Sequence, residues 1–376
     1  MNLTEIVCRE FGVNDIEATK DIVKGLINGT TLITTKSGKK FILQEINSNV
    51  FKNVGGLMNN IALVTDHLKH RIESEHGDPD RETLSLLRTR ESRNYVSVQY
   101  GDKTRYFRMY NFIDNASSYD QATPELLYQA GLGFGKFQRQ LSDFPARVLC
   151  ESIPNFHNTP VRYQQFKDTL NSSHLDTISM LRAKKAISYA LENEKSASII
   201  MDALNDKQIP LRVVHNDTKL NNVMFDDTTH TPVCVVDLDT IMPGSVLFDY
   251  GDAIRFSANT CTEDETVIQN VKLDMLRFNA FTDGFLRETA ESLTLREIEL
   301  LPYAPVVLSY ELGLRFLTDY LNGNKYFRCD SQRPNHNLER AEVQFQLMEN
   351  MKSHLPEMQQ SVFHQYKKHL DHVSIK

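Results

Sequence analysis

The chain has 376 residues, 40% hydrophobic and 24% charged, with a formal net charge of −7 and a pI near 6.0. That length supports a large core and two lobes. The acidic balance argues against nucleic acid or an anionic membrane as the main partner. The five cysteines (Cys8, Cys150, Cys234, Cys261, Cys329) are scattered and include no CxxC pair, so neither a zinc site nor a disulfide framework is expected.

Charges at Glu5, Arg9 and Glu10 disfavour a secretory signal at the N-terminus. No window approaches the ~18 uninterrupted apolar residues that a membrane helix needs. A cytoplasmic, monomeric protein is the expectation. Next comes Lys24-Gly25-Leu26-Ile27-Asn28-Gly29-Thr30. A pair of glycines before a strand suits either a phosphate-binding loop or a plain turn. Thr31–Thr35 and Lys40–Ile46, joined by Lys36-Ser37-Gly38-Lys39, read as a β-hairpin. Leu57, Ile61, Val64 and Leu68 then recur at the helical period. A second hairpin joins Asn94–Tyr100 to Thr104–Tyr110 through Gly101-Asp102.

Beyond Tyr110 the pattern turns helical. Pro124–Leu141 opens with proline in the first turn and carries a 3.6-residue apolar period. Further helical patterns cover about 161–206, 265–290, 294–321 and 335–368, interrupted by a strand-rich island at 211–238. The C-terminal stripe over 342–368 reads as a helix that packs on its own lobe. The layout predicts an α+β, bilobal molecule: a small β-rich lobe over 1–112, a connector near 109–114, and a large, mainly helical lobe over 113–376.

The island carries the chemistry. An apolar run delivers His215-Asn216-Asp217, four residues separate Asp217 from Asn222, and a second apolar run, Val233–Val236, delivers Asp237. Phosphoryl transfer needs a carboxylate to orient the acceptor hydroxyl, oxygen ligands for Mg²⁺ and a cation against the phosphates. Asp217 suits the first role, Asn222 and Asp237 the second, and Lys219 the third. Asp239 shares a strand face with Asp237, so it either reaches the metal or bonds local backbone. The bland reading of the island is a polar hairpin whose Asp and Asn residues make turn hydrogen bonds.

The blocks HNDTKLNNVMFD and VCVVDLDTIMPGSVLFDYGDAIRF resemble the aminoglycoside phosphotransferase and choline kinase superfamily, and within it the bacterial N-acetylhexosamine 1-kinases. KFILQEIN and ELGLRFLTDYLNGNKYF extend the resemblance over nearly the whole chain. It implies a protein-kinase-like fold and an ATP- and Mg²⁺-dependent kinase acting on the anomeric hydroxyl of N-acetylglucosamine or N-acetylgalactosamine. It implies Asp217 as base, Asn222 and Asp237 as Mg²⁺ ligands, and Arg315 and Tyr326 on the sugar. It implies nucleotide contact at Gly25, Gly29, Gln44 and Met109, the last at a hinge against which adenine stacks.

Gln44 stands where VAIK-type kinase strands carry a lysine, and the next helix shows Asn59 and Asn60 in place of a partner glutamate. Other residues have bland readings beside functional ones. Asp249 and Asp252 either brace the catalytic loop or stabilise a helix N-terminus. His215 and His157 read as structural. Arg315 has Glu311 and Asp319 four residues away, the spacing of helical salt bridges. Rival readings are a kinase for an aminoglycoside, choline or homoserine, and a nucleotide- or sugar-binding protein without turnover. The absence of Trp weakens an aromatic cage for choline. The absence of D-F-G and A-P-E disfavours a protein kinase.

Overall fold

The computed structural model describes residues 2–22 and 28–373. The chain divides into two compact units. The first comprises Met1–Ser118, Gln140–Pro154 and Asn222–Pro243; the second comprises Tyr119–Arg139, Asn155–Asn221 and Gly244–Lys376. The first unit therefore runs past residue 112 and takes back two later segments. Its β-sheet and the mostly helical second unit make the mixed α+β fold expected from the layout.

Elements follow in chain order: α1 (Leu3–Glu10), β1 (Ile16–Ile22), β2 (Gly29–Thr35), β3 (Lys40–Ile46), α2 (Val54–Ser74), α3 (Pro79–Glu82), β4 (Val96–Tyr100), β5 (Lys103–Asn111) and β6 (Ala116–Ser117). Then come α4 (Pro124–Gln140), α5 (Thr159–Ser172), α6 (Thr177–Glu192), α7 (Ile199–Asn205), β7 (Arg212–Val214), β8 (Val223–Asp226), β9 (Pro232–Val235) and β10 (Met242–Gly244). The chain closes with α8 (Val246–Ser257), α9 (Met275–Thr289), α10 (Leu295–Leu300), α11 (Ala304–Leu321), α12 (His336–Ser353) and α13 (Leu355–Val373).

In the first unit, β1–β5 form an antiparallel sheet in the order β1-β2-β3-β5-β4. Both expected hairpins are present. Gly38 and Gly101 take φ of +83° and +60° at their turns, a region where a side chain is strained. One sheet face is apolar: Ile33, Leu43, Val96, Phe107 and Met109 pack with Val7 and Cys8 of α1 and with Phe11 just after it. Strand alternation sends Gln44, Arg108 and Tyr110 to the other face. In α2, Leu57, Ile61, Val64 and Leu68 are all buried, as their four-three-four spacing demands.

In the second unit, α4 and α9 meet at glycines. A Cβ on Gly131 would lie 2.3 Å from the Phe281 carbonyl oxygen, and one on Gly284 would lie 2.1 Å from that of Tyr128. The two backbones approach too closely for any side chain. α11 forms the axis of the unit, with Val307, Tyr310, Leu314 and Leu317 fully buried. The helical patterns are segmented where local chemistry stops them. The stretch near 265–290 becomes helix only after Asp274 caps α9 through the Leu276 and Arg277 amides. Pro302 and Pro305 accompany the break between α10 and α11. The 335–368 stretch breaks at His354. Met348, Met351, Met358 and Val362 are buried within the unit, as expected for a packing helix pair. Among the described residues, no helix is long and apolar enough to cross a membrane.

Candidate active site

The catalytic-loop candidates lie in the second unit. Strand β7 ends at Val214, and the amides of His215, Asn216 and Thr218 beyond it are held by carboxylates from α8. Asp249 accepts the His215 amide at 2.9 Å and the Asn216 amide at 2.7 Å. Gln138 of α4 donates to Asp249 at 2.7 Å and to the Val213 carbonyl at 3.1 Å. Asp252 accepts the Thr218 amide at 3.1 Å and is paired with Arg255 at 2.8 Å. Both carboxylates therefore brace the loop; the helix-dipole reading is the weaker one. Burial pushes the Asp249 carboxyl above its ordinary range against these hydrogen bonds. Burial works the same way on Asp252, but the charges of Arg255, Lys219 and His157 outweigh it and hold that group below the ordinary range.

His215 is fully buried, packs edge-on against Phe134 and Phe137, and accepts the Asp217 amide through Nδ1 at 3.2 Å. It is an anchor, as the motif implied. Asn216 takes φ of +65°, a left-handed conformation that costs energy and is sustained by the bonds on either side. Asp217 emerges from this brace partly exposed, paired with Lys219 at 2.7 Å. Burial works to lower the Lys219 pKa, but the charge of Asp217 and its hydrogen bond, with Asp252 behind, hold it above the ordinary value.

Asn222 and Asp237 lie in the first unit, at one end of the β8–β9 ladder. The Val236 amide donates to the Asn222 carbonyl at 2.9 Å, so the two candidates flank the same rung. Asp237 takes φ of +61°. The turn after it is braced. Ser152 donates to the Asp239 carbonyl at 3.3 Å, and Asn60 of α2 donates to the Ile241 carbonyl at 3.0 Å. Asn60 also exchanges hydrogen bonds with Cys150. It clips backbone and does not replace the missing glutamate as a charge.

The Asp239 alternative resolves structurally. One of its carboxylate oxygens accepts from Arg108 and the other from Asn28, and the carboxylate is almost completely buried. Arg108 also donates to Gln44 Oε1, from Nε at 3.0 Å and Nη2 at 2.8 Å. Gln44 Nε2 in turn donates to Thr30 at 3.1 Å. Arg108 is 1% exposed and was not singled out from the sequence. The signal was present: a lone cation between Phe107 and Met109 in a half-buried strand requires a partner.

The other nucleotide candidates fare differently. Gly25 lies outside the described residues. Gly29 opens β2 opposite Glu45, and a Cβ there would meet only ordinary contact, 3.8 Å from the Glu45 Cβ. Packing does not require glycine at that position. Met109 is fully buried in the core against α1, on the sheet face opposite Gln44, and its carbonyl accepts the Leu87 amide at 2.8 Å. Its side chain is a core residue and not a surface for adenine.

The residues expected on the sugar do come together in the second unit. The Arg315 guanidinium lies over the rings of Phe156 and Phe327, at 5.6 and 5.5 Å. Tyr326 packs edge-on against Phe327 and is 73% exposed. The expected salt-bridge partners of Arg315 are engaged elsewhere. Glu311 accepts from Thr159 at 2.6 Å and pairs with His157 at 2.8 Å, while Asp319 accepts the Lys325, Tyr326 and Phe327 amides at 2.8–2.9 Å. His157 also bonds the Asn216 carbonyl at 3.4 Å, which links this cluster to the catalytic loop. A second guanidinium, Arg162, donates to the Phe156 carbonyl at 3.2 Å. Its pKa is lowered by burial first and by the charge of Arg315 next. Arg162 was not anticipated, because nothing in its local sequence marks it.

Comparison with known proteins now decides the family. Residues 70–281, more than half of the chain, match the model of the phosphotransferase enzyme family, APH. The chain belongs to that family. It is a small-molecule phosphotransferase of the superfamily that the sequence blocks resemble. Solved structures share the fold. A microcompartment-associated aminopropanol kinase is 13% identical, with 94% of this chain and 98% of that chain covered and a TM-score of 0.60. An aminoglycoside phosphotransferase from Alicyclobacillus acidocaldarius is 13% identical, with 97% of each chain covered and a TM-score of 0.59. A spectinomycin phosphotransferase in complex with ADP and spectinomycin is 14% identical, with 92% and 98% covered and a TM-score of 0.56.

The phosphotransferase family implies Mg²⁺, and the donor set suits it. Asn222 and Asp237 offer an amide oxygen and a carboxylate, both hard donors, fixed at one end of a two-strand ladder. Among the described residues no group of three or more His, Cys, Asp or Glu forms a protein-only cage. Mg²⁺ characteristically takes one or two protein carboxylates and completes its shell with water and phosphate.

Proposed function

We propose that this phosphotransferase is an ATP- and Mg²⁺-dependent kinase that phosphorylates the anomeric C1 hydroxyl of an N-acetylhexosamine, either N-acetylglucosamine or N-acetylgalactosamine. The observation that carries the kinase reading is the Asp217 loop. A carboxylate is presented on a backbone that Asp249, Asp252 and His215 hold from three sides, with Lys219 as its partner. Asp217 orients the acceptor hydroxyl and takes its proton. Lys219 leaves Asp217 to meet charge developing on the transferring group. Asn222 and Asp237 would hold Mg²⁺, which when bound neutralises the β- and γ-phosphate oxygens. ATP as donor agrees with the ADP found in the spectinomycin phosphotransferase of the same fold.

The acceptor reading is supported by the Arg315–Arg162–Tyr326 cluster. Two guanidinium groups repel a cationic acceptor such as choline or an aminoglycoside, while the exposed Tyr326 ring beside them offers an apolar face for a sugar ring to stack on. The same two guanidiniums favour one second reading, an alcohol that carries a carboxylate, of which homoserine is the example.

ATP turnover with Mg²⁺ against N-acetylglucosamine, N-acetylgalactosamine, their C1-blocked methyl glycosides, homoserine, choline and kanamycin tests both. Turnover of the free sugars but not of the blocked ones is expected. Turnover confined to homoserine would transfer the assignment to the second reading, and turnover confined to choline or kanamycin would overturn both.

A further inference from the structure

A kinase strand lysine grips the donor phosphates, and β3 carries Gln44 in its place. The register of the sheet shows where the charge went. Gln44 and Arg108 are directly paired across β3 and β5, so their side chains leave the same face of the sheet. The Arg108 guanidinium is locked there by Gln44 and Asp239, and Nη1 and Nη2 each carry a second hydrogen beyond these bonds. It is buried, so its field is little screened by water. Asp237, the metal-ligand candidate two residues before Asp239, lies within that field.

We propose that Arg108 stands in for the missing strand lysine: it is the fixed cation of the nucleotide-phosphate site, presented from β5 and held by Gln44 and Asp239. The proposal rests on the kinase reading above. Arg108 is a positioning residue. It fixes the Asp237 turn through Asp239. Gln44 then serves the phosphates through Arg108, because its carbonyl oxygen is engaged by the guanidinium and its amide bonds Thr30.

The experiment measures binding of Mg·ADP and of adenosine to the full-length protein by calorimetry, for the natural chain and for R108M, R108K, R108M/D239L and R108M/Q44K. The R108M/D239L pair removes the cation and its buried counter-charge together, which folded proteins tolerate better than breaking the pair. Melting curves report which variants fold. ADP affinity is expected to fall at least ~10-fold in R108M and R108M/D239L, about 1.4 kcal/mol. Adenosine affinity is expected to hold. R108K and R108M/Q44K are expected to recover part of the loss, and the KM for ATP to rise while that for the acceptor does not. Equal loss of ADP and adenosine binding, or no loss of either in the folded R108M/D239L protein, overturns the proposal. Failure of the natural chain to bind ADP overturns the kinase reading itself, and is thereby distinguishable from a failure confined to Arg108.

Discussion

Two ion pairs with different surroundings organise the two units. Lys219 and Asp217 are paired at 2.7 Å with about a third of each side chain exposed (32% and 29%), whereas Arg108 and Asp239 are paired with 1% and 6% exposed. A pair in contact with water contributes ~0–1 kcal/mol and is readily exchanged for a substrate. A pair without water stays in place, since separating it leaves an uncompensated buried charge. The proposed reaction uses both kinds: with Asp217 as base, that carboxylate and Lys219 separate when an acceptor and a phosphoryl group arrive, while the buried pair behind the Asp237 turn stays where it is.

The most direct way to break this comparison is to remove one partner of the buried pair. Asp239→Ala is expected to destabilise the fold by ~3–5 kcal/mol, the scale for orphaning a buried charge, read as a fall in the urea midpoint. If the midpoint moves no further than for a surface substitution, the pair is not the fixed element described here. Asp217→Asn should cost at least ~10²-fold in kcat, with the urea midpoint nearly unchanged. Near-natural turnover in that variant would remove the base assignment. A smaller effect sharpens the electrostatic side. The Asp252 carboxyl is held low by Arg255, Lys219 and His157, so its contribution is present at neutral pH and is lost as pH falls through its depressed folded value, below about pH 4. Asp252→Asn is therefore expected to reduce stability at pH 7 and to flatten the acid side of the stability profile; an unchanged acid limb would show that the loop is braced without that charge. The smallest effect lies outside either pair. Thr294 caps α10 in a capping box with Glu297, and Thr294→Ala should cost ~1 kcal/mol without changing KM or kcat.

The parts legible in the sequence were those whose partners are near in sequence. The hairpins announce themselves through Gly38 and Gly101, and the α2 core face through a period of four, three and four. The His215–Asp217–Asn222 spacing is written within one stretch, and the bracing carboxylates Asp249 and Asp252 follow on a single helix face. What failed to show was set by distant pairing. Gln44 and Arg108 are 64 residues apart, and Arg108 and Asp239 are 131 apart. The resemblance implies a hinge at Met109; strand alternation beside Arg108 puts its side chain on the opposite, apolar face.

From its own order of residues, the chain specifies an α+β architecture, the loop that bears Asp217 and the ladder that bears Asn222 and Asp237, because periodicity, turn chemistry and short motif spacing act over a few residues. Tertiary structure alone decided that Asp239 answers to Arg108 and Asn28, that Asn60 clips backbone, and that Arg162 joins Arg315 beside Phe156. Those assignments depend on strand register and helix packing, which bring together charges that carry no mark of one another along the chain.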